Sequence, residues 1–181
     1  MAAGDGLISM KPTSIAHSGT SATINADGGV DFTAVTELSL NGVFTGDYDN
    51  YLIVLDGTAS GSTGLQFRYR VSGTDNSTAS SYVSQALGAN GTTISKGRDT
   101  ESFGYLSNQA STQAAGYQAH VYGPYLAQPT AARSVTVYGF GDARLMDYAW
   151  THNQSTSYDG FTLYTAGVTL TGTIHVFGYE E

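Results

Sequence analysis

Cysteine is absent from this 181-residue chain, which excludes disulfides, thiolate nucleophiles and cysteine-based zinc sites together. Stability has to come from the core and from partner chains. Charge is scarce as well: Asp, Glu, Lys and Arg make up 12% of the residues, about half the roughly 25% of an ordinary soluble domain. Ser, Thr, Asn and Gln must keep the surface wet. The charge that remains is unbalanced, 7 basic residues against 15 acidic ones, for a net charge of −8. Arg68 and Arg70 share one strand face, while Lys96, Arg98, Arg133 and Arg144 are scattered among acids. Without a basic stripe, that balance argues against a nucleic-acid partner. No apolar run reaches the ~20 residues of a membrane-spanning helix, and no basic-then-apolar leader follows Met1. The expectation is a soluble chain with no membrane span, whose export, if any, uses no ordinary leader.

Helical signals are missing too. No three-turn segment carries a convincing apolar stripe, and residues 109–115 read as a short turn or a loop. What the chain does have is sheet chemistry: aromatics at 12%, with Tyr 13, Phe 7 and Trp 1, and abundant Val, Ile and Thr. Short alternating or apolar runs predict strands near residues 22–25, 30–32, 37–44, 51–55, 65–72, 82–86, 103–107, 118–125, 134–140, 146–152, 161–165 and 173–177. Between them, Ala26-Asp27-Gly28-Gly29, Asp56-Gly57, Ser72-Gly73, Asn90-Gly91 and Asp159-Gly160 supply turn residues. Alternation is clearest where Leu65, Phe67, Tyr69 and Val71 point one way and Gln66, Arg68 and Arg70 the other. Residues 134–140 are apolar on both faces, as in a strand between two layers or at a subunit contact. Residues 173–177 repeat this, and the terminal strand is expected to pair inside the main sheet. The prediction is an all-β fold, an antiparallel, jelly-roll-like β-sandwich over residues 20–181. Residues 1–19, poor in large apolar groups, read as an extended N-terminal docking arm that a neighbouring subunit would order.

Catalytic constellations are thin. His17, His120, His152 and His175 stand apart, with no His-x-x-x-His or His-Glu-x-x-His spacing, and His120 and His175 read as ordinary sheet histidines. No Gly-x-Ser-x-Gly marks a nucleophile. Asp47, Asp49 and Asn50 resemble part of a calcium loop, but the later Glu is missing, and a turn whose side chains satisfy backbone N–H groups is the favoured reading. The expectation is no enzyme, no cofactor and no metal site. The stretch 147–154 differs, because its aromatic and amide side chains can stack on a sugar and hydrogen-bond its hydroxyls. Tyr148, Trp150, His152 and Asn153 are its candidate glycan or partner contacts. The ordinary alternative is that the single tryptophan fills the core or a subunit interface.

Gly42-Val43-Phe44, then Tyr48-Asp49-Asn50-Tyr51-Leu52-Ile53-Val54, then Leu65-Gln66-Phe67-Arg68-Tyr69-Arg70, and finally residues 172–179 carry a resemblance. In these strand-and-turn motifs the chain resembles small virion structural proteins of tailed bacteriophages, of the marine and cyanophage type. The resemblance implies a β-sandwich or jelly-roll module on the particle surface, as a capsid decoration, a head fibre or a small tail adhesin. It also implies a homotrimer that attaches through its N-terminal arm to other virion proteins. A carbohydrate-binding, lectin-like module that takes a host surface glycan is the alternative.

Overall fold

The computed structural model describes residues 6–110, 112–139 and 143–179. Fourteen strands follow one another: β1 (Ile8–Ser9), β2 (Ser14–Ile24), β3 (Val30–Asn41), β4 (Asn50–Ala59), β5 (Thr63–Val71), β6 (Thr74–Asp75) and β7 (Tyr82–Asn90). The second half holds β8 (Thr93–Glu101), β9 (Gly104–Ala110), β10 (Ala115–Tyr122), β11 (Thr130–Tyr138), β12 (Arg144–His152), β13 (Gly160–Thr165) and β14 (Leu170–Tyr179). All pairings are antiparallel, and no helix occurs among the described residues. The predicted all-β, jelly-roll-like sandwich is the fold.

One hydrogen-bonded path, β6-β5-β13-β3-β14-β4-β10-β11-β12-β7-β8, curls back on itself to make both layers. The turning point is β3. Its first part, from Val30 to Val35, pairs with β14, and its second, from Glu37 to Asn41, pairs with β13. Ala34, at φ 49° near the end of the first part, marks the bend, and β2 shifts register against it at Ser18/Gly19. Gly19 is required there: a Cβ would lie 2.2 Å from the Ala34 carbonyl oxygen. The first layer is β2, late β3, β13 and β5, with β6 and β9 on the far side of β5. The second is the broad run from β14 to β8. β9 packs across β10, β11, β12 and β7 to close the sandwich.

Alternation places the core between the layers. Phe67 stacks on Phe161 at 5.1 Å and meets Trp150 at 5.5 Å, while Tyr69 stacks on Tyr158 at 4.9 Å. Each large side chain buried here contributes roughly 1.5–3 kcal/mol, and favourable ring geometry adds to it. Ile174 and Val176 of β14 are in this core, as the terminal strand's pattern requires, while Phe177 faces outward.

Several expectations change. Strand β8 was not foreseen, because Thr93–Glu101 carries no apolar alternation; it is exposed along its length and held by pairing with β7. Asp56-Gly57 is no turn. It lies inside β4, where Gly57 permits close approach to Thr171, whose carbonyl oxygen would be 2.7 Å from an added Cβ. The arm is tied to its own chain: β1 pairs with β14, the Met10 N–H donates to Val176, and the 19/20 boundary falls inside β2. Residues 1–5 of that arm lie outside the described residues. So does Phe140, at the end of the predicted strand 134–140.

Candidate functional site

The candidate stretch 147–154 is divided by the pleat of β12. Tyr148, Trp150 and His152 point into the core at 2%, 1% and 0% exposure, so the sugar-stacking role read for them is corrected: they are core residues. Trp150 sits so close to β9 that a Cβ on Gly104 would be 2.8 Å from its ring. Only Asn153 of the four is exposed, bonded to Gln154.

His152 belongs to a buried polar cluster. Its Nε2 is 2.7 Å from the Tyr158 hydroxyl, which accepts from the Asn76 amide. Tyr82 donates to the Asn76 carbonyl and accepts from the Tyr69 N–H. Desolvation pushes the His152 imidazole down to about 4 and raises the Tyr69 and Tyr82 hydroxyls. These groups hold strands together, and of them Asn76 lines an open cleft with Val71, Thr74, Asp75, Ser77, Thr78 and Thr156.

Arg68 and Arg70 share a face, as expected, and both are structural. Arg70 donates to Ser39, Thr162 and Asp75, the last at 2.7 Å, and to the Gly73 carbonyl. Arg68 lies over the Tyr164 ring and donates to the Ser102 carbonyl. The Asp47 region forms a turn around the Tyr51 hydroxyl, which donates to the Thr45 carbonyl at 2.9 Å and accepts from the Thr45 N–H. Among the described residues, no three His, Asp or Glu side chains gather to hold a metal ion.

The chemistry that faces solvent lies on the outer surface of the second layer. Residues directly opposite in antiparallel strands share a face, so the registers of β11, β12, β7 and β8 define rows across it. The first row is Val137, Leu145, Ala89 and Ile94, and the next is Val135, Asp147, Leu87 and Lys96. Val137, Leu145, Ile94 and Leu87 are 54%, 46%, 68% and 55% exposed. This is an apolar patch.

The following rows change character. Arg133, Ala149, Gln85 and Arg98 form one, and Ala131, Thr151, Val83 and Thr100 the other. Small side chains leave a shallow trough lined by Val83, Gln85, Arg98, Ala131, Ala149 and Thr151. At its β11 side Arg133 is gripped by Asp147, Nε to Oδ1 at 3.0 Å and Nη2 to Oδ2 at 2.5 Å, which raises the guanidinium pKa. Tyr122, 42% exposed, stands opposite Ala131 on the neighbouring strand. Cations that look scattered along the chain are thus gathered, with Lys96, Arg98 and Arg133 on one face of a net-acidic protein.

Sequence reading missed this face, although its signal was present. Applied to residues 147–154, the two-residue period separates Asp147, Ala149 and Thr151 from Tyr148, Trp150 and His152.

No family model and no curated protein matches the chain. Solved structures with loose similarity include two domains named for carbohydrate recognition and cellulose binding. The carbohydrate recognition domain of Emp47p shares 10% identity over 97% of this chain and 98% of that one, with a TM-score of 0.34. The second N-terminal cellulose-binding domain of β-1,4-glucanase C from Cellulomonas fimi shares 16% identity over 93% and 92%, with a TM-score of 0.28. Superpositions this loose carry no argument about function.

Proposed function

We propose that this protein is a non-enzymatic structural component of a tailed-bacteriophage particle surface, a capsid decoration, head fibre or small tail adhesin. It works by assembling, as a homotrimer and with other virion proteins. The strand-and-turn resemblance supports the particle. The observation that carries assembly is the row Val137, Leu145 and Ile94 with Leu87 beside it, contiguous apolar surface of the kind that marks interaction sites. Another copy of the chain is the occupant. Viewed along the strands, the face is acidic toward β4, where Asp56 is exposed, and basic at the β8 edge, where Lys96 and Arg98 project. In a three-fold ring the acidic end of one copy's face meets the basic end of the next.

Attachment to the particle uses the N-terminal region. Among the described residues β2 is an edge strand paired only to β3, and its eleven residues include no Asp, Glu, Lys or Arg. β8, an end of the hydrogen-bonded path, carries Lys96, Arg98, Asp99 and Glu101, the kind of charge that blocks edge pairing. Cryo-EM of purified particles tests the assignment. The expected result is density for this subunit on the head or tail surface; its absence from intact particles overturns the assignment.

A second reading, a carbohydrate-binding module, is favoured by one observation: the trough beside the apolar patch combines small floor residues with an amide, a hydroxyl and a guanidinium.

A further inference from the structure

We propose that the trough on the outer face of β11, β12, β7 and β8 binds an acidic saccharide, with Arg98 holding the sugar's carboxylate. The proposal rests on the carbohydrate-binding reading and specifies its ligand.

Arg98 lines the trough and projects from an exposed strand with no carboxylate partner among the described residues, in a chain whose net charge is −8. An unpaired guanidinium at the wall of a cleft is a ready fork for a carboxylate. Lys96 lies two residues away on the same face and adds positive potential. Arg133, one strand beyond Ala149 in the same row, is held by Asp147 through two hydrogen bonds.

The dimensions suit one or two sugar rings. Arg98, Gln85, Ala149 and Arg133 are consecutive cross-strand partners. The two arginines are therefore three strand spacings apart, about 14 Å at the backbone. Between them, Ala149 lets a flat ring approach the sheet. The Thr151 hydroxyl and Gln85 amide serve sugar hydroxyls; Gln85 donates to the Gly97 carbonyl at 2.8 Å, which leaves its side-chain oxygen as an acceptor. Tyr122, 42% exposed, extends the Ala131–Thr151 row by one strand. A nucleic-acid strand would need a longer cationic track than these few side chains make.

The test is a glycan array carrying uronic-acid and sialic-acid oligosaccharides beside their methyl esters, which keep the shape and remove the charge. Calorimetry on the best acidic member follows, with wild type, Arg98→Gln and Ala149→Trp. Expected are binding of acidic members, at least about tenfold loss on esterification or in Arg98→Gln, and loss in Ala149→Trp with an unchanged melting curve. Weakening as salt rises toward about 1 M accompanies it. Equal affinity for the esters overturns the acidic ligand while leaving carbohydrate binding in place. No binding to any array member overturns both. Acidic binding that survives both substitutions overturns the trough.

Discussion

The two faces of β12 share a backbone and differ in everything else. Inward, Met146, Tyr148, Trp150 and His152 are buried and meet rings and strands of the opposite layer. Outward, Leu145, Asp147, Ala149 and Thr151 meet solvent, an ion pair and a shallow trough. The inner set holds the layers together, and the outer set is free to recognise something else. Mutations on alternate residues should therefore have separable consequences.

Trp150→Ala should have the largest effect on stability. It removes the largest fully buried side chain and should cost about 3–5 kcal/mol in denaturant unfolding. A loss below about 1 kcal/mol would mean that the inner face of β12 is not the core.

Next comes the buried imidazole. Because burial lowers the folded-state pKa of His152 to about 4, below its usual 6.5, the unfolded chain binds more protons between those values. Its contribution is fully present above pH ~6.5 and is lost as pH falls toward ~4, by up to about 3 kcal/mol. His152→Gln, whose amide can still meet the Tyr158 hydroxyl, should flatten that part of the stability profile. An unchanged slope would place His152 in contact with water.

Tyr158→Phe removes a hydroxyl shared by His152 and Asn76, and should cost about 1–2 kcal/mol by leaving those groups short of a partner. The smallest stability effect belongs to the outer face: Leu145→Asp should shift unfolding by no more than about 0.5 kcal/mol.

Much of the fold was legible because its signal is local. Alternation in Leu65 to Val71 assigned each side chain to the correct face, and Asn90-Gly91 marked the β7–β8 turn, where Gly91 adopts φ 57°. β8 was not legible, because its neighbour rather than its own apolar pattern keeps it in the sheet. Asp56-Gly57 misled because glycine serves close strand approach as readily as a turn. For the site, local composition pointed to the right strand and the wrong residues. The trough draws Ala131, Ala149, Thr151, Val83, Gln85 and Arg98 from four strands, and their meeting depends on register, which the composition of one segment does not encode.

Sedimentation of the wild-type protein beside Leu145→Asp tests most directly whether the outer face of the second layer is an assembly surface. At tens of micromolar the wild type should sediment as an oligomer of the 18.9 kDa chain, and Leu145→Asp as the single chain with an unchanged melting curve. A wild type that sediments only at 18.9 kDa, or a Leu145→Asp variant that associates as wild type does, would contradict the account.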